Sequence, residues 1–340
     1  MVTIKNNSVS YLCLLVLVFF ASVLFYLSTN TVQKTDKCRF YARTTQSVIH
    51  KNELEKIELD GVLSKAAMPN GTVILTTLNE AWANPGSMID LFLESFKIGE
   101  GTSKLVNHLV ILAMDPQAFD RCKSIHPHCY FVTTPGVNFT AEKRFMTPDY
   151  LKLVWRKIEV LRIVLELGYN FLFTDGDIMW FRDPFPYLDD LDEIQIACDS
   201  YNGNPRDIGN YPNTGFKYVK SNNATIEFYK YWYMSSVYHS DIHDQEVFDV
   251  IRHDSIVAAL GLRVKYLDTK YFGGFCHPSR DMNKVCTMHA NCCIGIENKI
   301  HDLKLILSDW KNYTLLSPVE KANISSSWTS PWRAPNKCKV

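Results

Sequence analysis

Residues 170–181 read NFLFTDGDIMWF. A strand-like apolar run enters two aspartates one residue apart, Asp175 and Asp177, and apolar residues resume at once. Like charges at the end of a buried strand are costly unless a cation pairs with them. A divalent ion held there could bridge two phosphate oxygens, and carboxylates with water suit Mn2+ or Mg2+ better than zinc. A second Asp-x-Asp, Asp190-Leu191-Asp192, follows the proline-rich turn DPFPYLDD and reads as a solvated helix start.

Outward from this stretch the chain alternates strand and helix patterns. Upstream, TVILTT (72–77), HLVILAMD ending at Asp115, and CYFVTT (129–134) read as strands. SMIDLFLESFKIG, closed at Gly99, and Leu151 to Leu167, closed by Gly168, have helical spacing. Such alternation predicts an α/β domain with a mostly parallel mixed sheet and right-handed crossovers. Ligands of these sheets sit beyond the C-terminal strand ends, where Thr76, Thr77, Asn79, Asp115, Asp175 and Asp177 fall. Downstream, IQIAC, GFKYV and LRVKYL read as short strands, Thr225 to Val237 as an aromatic-rich helix and Ile300 to Trp310 as a last helix. One catalytic domain over 69–315 is expected, followed by an irregular Ser/Pro-rich tail over 316–340.

The uncharged run Tyr11 to Leu27 is long enough to cross a thin bilayer and lacks a small-residue cleavage site after it. A signal anchor over 11–27 is expected, between a cytosolic tail (1–10) and a polar stem (28–68). Lys5 before the span and Lys34, Lys37 and Arg39 after it do not favour a luminal C-terminus. Sequons at Asn70, Asn138, Asn223, Asn312 and Asn323, and nine cysteines beyond Cys13, favour an oxidising lumen. The odd number requires at least one thiol outside the intrachain bridges. Cys276, Cys286, Cys292 and Cys293 with His277 and His289 could form a zinc site, but no C-x-x-C is present, and disulfides are the better reading. Cys122 and Cys129 are near enough in sequence to pair. Zero formal net charge and the lack of a long basic run argue against a nucleic-acid partner.

Taken alone, the aspartate pair suits three roles: metal and diphosphate binding in a nucleotide-sugar transferase, a haloacid-dehalogenase-like phosphohydrolase with Asp175 as nucleophile, or a helix cap with surface salt bridges. Against the second, Met179 stands where that motif has Thr or Val, and the α/β pattern begins long before Asp175.

FLFTDGDIMWFRDPF, together with YPNTGFKYVKS, HDQEVFD and MHANCCIGIENK, resembles the plant nucleotide-diphospho-sugar transferase domain of glycosyltransferase family 77 over about Thr72 to Tyr313. The resemblance implies a GT-A-type, Rossmann-like three-layer fold in a type II Golgi protein. It also implies sugar transfer with retention, from a nucleotide sugar (UDP-linked before GDP-linked) to a cell-wall polysaccharide or glycoprotein. Residue by residue, it puts Asp175 and Asp177 at the metal and ribose-diphosphate positions. His289, in H-x-N-x3-G-x3-K with Asn291, Gly295 and Lys299, matches the third metal ligand, and Lys299 the cation that meets the diphosphate. Mn2+, or Mg2+ in its place, is the implied cofactor.

Asn213 matches a donor-sugar contact, Asp244 and Gln245 the pair facing the anomeric carbon, and Lys157 a basic donor position. Thr77 and Asn79 fall where the first strand's loop meets the base. Each also has a plain structural reading, as a turn Asn, a helix cap, an exposed lysine or a histidine packed beside a disulfide. Retention through Asp244 as nucleophile and a front-face path aided by the Gln245 carbonyl oxygen both remain open. So does a catalytically silent glycan-binding protein of the same fold. Trp180, Tyr211, Tyr231, Trp232 and Tyr233 are candidates either to stack on an acceptor glycan or to fill the core.

Overall fold

The computed structural model describes residues 53–134, 146–325 and 331–338. The expected cytosolic tail and anchor, and most of the expected stem, lie outside the described residues; among those described no helix is long and apolar enough to cross a membrane. The chain divides into two units, Met1–Glu58 and Leu59–Val340. Only residues 53–58 of the first are described, and they are helical.

The N-terminal half is built as the strand–helix alternation predicts. Helix α1 (53–66) precedes β1 (Thr72–Leu78), the one-turn α2 (Glu80–Ala83) and α3 (Met88–Ile98). Then come β2 (Leu109–Ala113), α4 (Pro116–Ile125), β3 (Cys129–Phe131), α5 (Pro148–Glu166), β4 (Asn170–Thr174) and β5 (Ile178–Trp180). Asp115 caps α4 by accepting from the Ala118 N–H at 2.8 Å, with Pro116 in the first turn. Gly168, at φ 90°, ends α5 in the left-handed region that favours glycine. The second half runs β6 (Ile194–Ser200), β7 (Tyr211–Val219), α6 (Asn223–Ser235), α7 (Asp244–Ile251), α8 (Ser255–Ala259), β8 (Val264–Tyr266), β9 (Phe272–Gly274), β10 (Thr287–His289), α9 (Ile296–Thr314) and α10 (Pro318–Ser325).

Seven strands form a mixed sheet in the order β3-β2-β1-β4-β7-β6-β8. All pairings are parallel except β4–β7 and β6–β7. Side chains alternate across it with period two. Ile74 and Leu78 face a core with Phe92, Trp180 and Trp310, whereas Val73 and Leu75 face one with Ile158, Phe228 and Trp232. Burial on both faces accounts for the continuous apolar runs. Strand β1 pairs with β2 on one side and β4 on the other, so the strand order reverses at their C-terminal ends. That edge is where such a sheet opens a ligand crevice. A second, three-stranded sheet, β5-β10-β9, lies beyond it.

The domain extends past both expected boundaries. Within the stretch assigned to a polar stem, Leu59, Leu63 and Ala66 of α1 are fully buried at helical spacing, forming one buried stripe. Tyr169 donates to Asp60 at 2.7 Å, and His108 Nδ1 lies 2.7 Å from the Ala66 carbonyl. At the other end, the expected loose tail carries α10 and a packed terminus. Trp332 is buried against Phe181 and donates to the Ser279 carbonyl at 2.7 Å. The buried Asp302 carboxylate accepts the backbone N–H groups of Asn336, Lys337 and Cys338 at 2.7, 3.0 and 2.9 Å.

Disulfides join Cys122 to Cys129, Cys276 to Cys292 and Cys293 to Cys338. This removes the zinc reading. Cys198 and Cys286 are buried free thiols, and Cys38 lies outside the described residues.

Candidate active site

The acidic stretch is a turn between two sheets. Asp175 follows β4 directly, its N–H donating to the Gly215 carbonyl at 2.8 Å, and its own carbonyl accepts from the Ile178 N–H at 3.1 Å. Gly176 lets the turn lie against an indole, since a Cβ there would stand 3.3 Å from the Trp82 ring. Strand β5 then pairs antiparallel with β10, setting His289 opposite Ile178, and the Ala290 N–H donates to the Asp177 carbonyl at 3.0 Å. Strand register thus delivers an imidazole from far along the chain. Ligand atoms of Asp175, Asp177 and His289 all lie within 4.8 Å of one another. Gly215 is the floor: a Cβ there would come within 2.5 Å of Asp175 Oδ2 and 2.8 Å of both Asn213 Oδ1 and His289 Cε1.

Positive charge meets the buried Asp177. Lys299 Nζ, on α9, is 2.5 Å from Asp177 Oδ2. His289 Nε2 lies 3.2 Å from Oδ1 but off the hydrogen-bond line, so Oδ1 has no hydrogen-bond partner among the described residues. Burial pushes the Asp177 carboxyl up, but Lys299 and His289 outweigh it and hold it well below the usual range. Asp175 is raised, because burial and Asp177 prevail over Lys157. Burial pulls His289 down, and the neighbouring Asp177 outweighs it to raise the imidazole. Two hard carboxylates, an imidazole and an orphaned buried oxygen form a donor set that fits a divalent ion such as Mn2+ or Mg2+.

Lys157 and Asp244, expected at a donor contact and at the anomeric carbon, face each other. They form an ion pair of 3.0 Å, with Lys157 5% and Asp244 2% exposed. Asp244 opens α7, accepts from the Thr214 hydroxyl at 3.3 Å and receives the Trp232 indole N–H on its backbone carbonyl at 3.0 Å. Burial works against both charges. Asp244 raises the Lys157 ammonium, and Lys157 holds the Asp244 carboxyl low, so both stay ionised. The pair anchors the start of α7.

Beneath it lies Lys217, buried among rings, with Nζ 4.5 Å from the Phe173 centroid and donating to the Thr214 carbonyl at 2.7 Å. Burial, then repulsion from Lys157, pull its ammonium down to about 7. Unfolded lysine holds its proton to about pH 10. Between about pH 7 and 10 the unfolded chain therefore binds more protons, and folding stability rises with pH. Relative to Lys217→Met, the native protein should gain about 1.4 kcal/mol for each pH unit across that window. Denaturant unfolding of both proteins from pH 6 to 10 checks this; a constant difference would refute it.

Other expected residues line the same sheet edge. Thr77 and Asn79 are half-buried at the end of β1, Asn79 as the N-cap of α2 without a side-chain cap bond. Of the aromatic candidates, Trp180 and Trp232 are fully buried core, Tyr231 and Tyr233 are half-buried, and Tyr211 is exposed. Two site residues escaped the sequence reading. Trp82 packs beside Gly176, with Lys299 Nζ 5.7 Å from its ring centre. Asp199, at the end of β6, gathers three amides: Oδ1 accepts from Asn213 at 2.8 Å and Asn291 at 2.6 Å, and Oδ2 from Gln245 at 2.9 Å.

Residues 104–303 match the family model of the nucleotide-diphospho-sugar transferases. The chain belongs to this family. An uncharacterized protein of Arabidopsis thaliana is 50% identical over 290 residues, covering 85% of this chain and 75% of that one. A second uncharacterized Arabidopsis thaliana protein is 37% identical over 329 residues, covering 95% and 93%. A UDP-D-xylose:L-fucose alpha-1,3-D-xylosyltransferase of the same plant is 23% identical over 277 residues, covering 73% and 71%. This nucleotide-diphospho-sugar transferase is thus a glycosyltransferase, and the phosphohydrolase reading falls away.

Proposed function

We infer that the chain transfers a sugar from a UDP-sugar, with retention and dependent on a divalent metal, to a cell-wall polysaccharide or glycoprotein. The observation that carries this reading is the meeting of Asp175, Asp177 and His289 at the end of β4, with Lys299 on Asp177. Those three residues would hold Mn2+ or Mg2+, whose charge neutralises a departing diphosphate. Lys299 adds a second cation on the same side, released from Asp177 as phosphate oxygens arrive. Thr77 and Asn79 face the nucleotide base, and Asn213 and Gln245 the sugar. Asp244 is committed to Lys157, which favours the front-face path over a covalent one. In that path the acceptor hydroxyl passes its proton to the leaving phosphate oxygen, and the Gln245 carbonyl oxygen eases charge at the anomeric carbon.

The xylosyltransferase name of the more distant relative makes UDP-pentoses the first donors to try. A Golgi lumen, with the chain anchored through 11–27, is the compartment we assign. Supporting it are the apolar run, the disulfides, and the exposure of the sequon residues Asn70, Asn223, Asn312 and Asn323.

A thermal-shift and hydrolysis screen of nucleotide sugars with and without Mn2+ tests the reading. The right donor at a hundred times its Kd should stabilise the fold by about 2.7 kcal/mol, only with metal present, and should be hydrolysed slowly. No shift and no turnover with any nucleotide sugar would overturn it.

A further inference from the structure

We propose that Asp199 is a positioning residue for sugar transfer: its carboxylate fixes which end of the Gln245 amide is oxygen and locks Asn213 and Asn291 beside it. An amide can satisfy neighbours either way round unless they dictate its sense. Here they do. Gln245 Nε2 donates to Asp199 Oδ2 at 2.9 Å, while its Oε1 accepts the Thr214 N–H at 3.2 Å. Asn213 Nδ2 donates to Asp199 Oδ1, and its Oδ1 accepts the Gly215 N–H at 2.9 Å. Asn291 repeats the pattern, with its Nδ2 on Asp199 Oδ1 and its Oδ1 on the Cys276 N–H at 3.1 Å.

A single acceptor-only carboxylate thus orients three amides, each pinned at its oxygen by a backbone donor. Gln245 Oε1 is held at Thr214, next to Gly215, the floor on which Asp175, Asn213 and His289 converge. An inverted Gln245 would present an N–H pair where electron density is needed as the anomeric carbon becomes cationic. An Asn at 199 cannot keep the pattern, because one of its two ends is itself a donor and would face an amide N–H.

Given the sugar-facing role proposed above for Gln245, on which this assignment rests, Asp199→Asn should lower kcat for donor hydrolysis about a hundredfold, the upper range for a residue supporting a reactive group. The KM for donor should move by less than about threefold, and Mn2+ and UDP affinities by less than about twofold. Asp199→Glu keeps the acceptor-only charge and should recover part of the rate. Titration of Mn2+ and UDP into each variant shows whether the fold and the metal end of the cleft survive. A full-rate Asp199→Asn protein, or a rate loss matched by an equal loss of UDP affinity, overturns the assignment while leaving the transferase function standing. A wild-type protein that turns over no nucleotide sugar removes both together.

Discussion

Replacing Asp177 with Asn should abolish tight Mn2+ binding and lower donor turnover at least about a thousandfold, which corresponds to about 4 kcal/mol of transition-state stabilisation. The change keeps the shape of the side chain but removes the anion on which Lys299 and His289 converge. It also replaces one of the carboxylate oxygens, of which Oδ1 is buried without a hydrogen-bond partner, by an N–H2 that repels a cation. Gly215→Ala should reach the same end without touching a ligand, because the new methyl occupies the space between Asp175, Asn213 and His289. Mn2+ titration by electron paramagnetic resonance, paired with donor hydrolysis, reads both variants. Wild-type metal affinity in Asp177→Asn would disprove the assignment of this cluster as the metal centre.

The second large effect concerns stability. Lys157→Met should destabilise the domain by about 3–5 kcal/mol, the usual cost of stranding one member of a buried ion pair. Asp244 would be left charged at 2% exposure, facing the Thr214 hydroxyl, the more distant His243 ring and the buried Lys217 side chain in place of its ion-pair partner. The double variant Lys157→Met/Asp244→Asn should recover most of that loss, since replacing both charges removes the stranded one. Denaturant unfolding of the four proteins in this cycle gives the coupling directly. If Lys157 instead met the donor, Lys157→Met would keep its stability and raise the KM for donor alone.

Much of the fold was legible because β1, β2 and β4 are buried on both faces and so run unbroken in apolar residues. Period and punctuation sufficed for them. The acidic turn was legible for the same reason: paired carboxylates directly after such a run need a counter-charge to be stable there. His289 was different. Nothing local to TMHANCC marks it; the resemblance alone pointed to it as a metal ligand, and its place beside Asp177 follows from the β5–β10 register seen in the structure.

Asp199 could have been found by the rule that found Asp175. Strand β6 runs antiparallel to β7, which runs antiparallel to β4, so the end of IQIAC opens on the same edge as the end of β4. The Lys157–Asp244 ion pair was not legible, because burial of a lysine on an amphipathic helix depends on a partner distant in sequence. Helix α1 was missed although Leu59, Val62, Leu63 and Ala66 have helical spacing, because Leu54 and Ile57 fall off that stripe and Gly61 interrupts it among charged residues.

The Cys293–Cys338 bond bears on how this protein can be made. Cys293 stands two positions after Asn291, and its partner is the last cysteine of the chain. A version shortened after α9, where the sequence suggests the domain stops, would leave an unpaired sulfur a few atoms from the Cys276–Cys292 bridge and open to exchange with it. Secreted production of the untrimmed C-terminus is therefore the route to correctly bridged material, since a reducing cytosol would leave these cysteines as unbridged thiols.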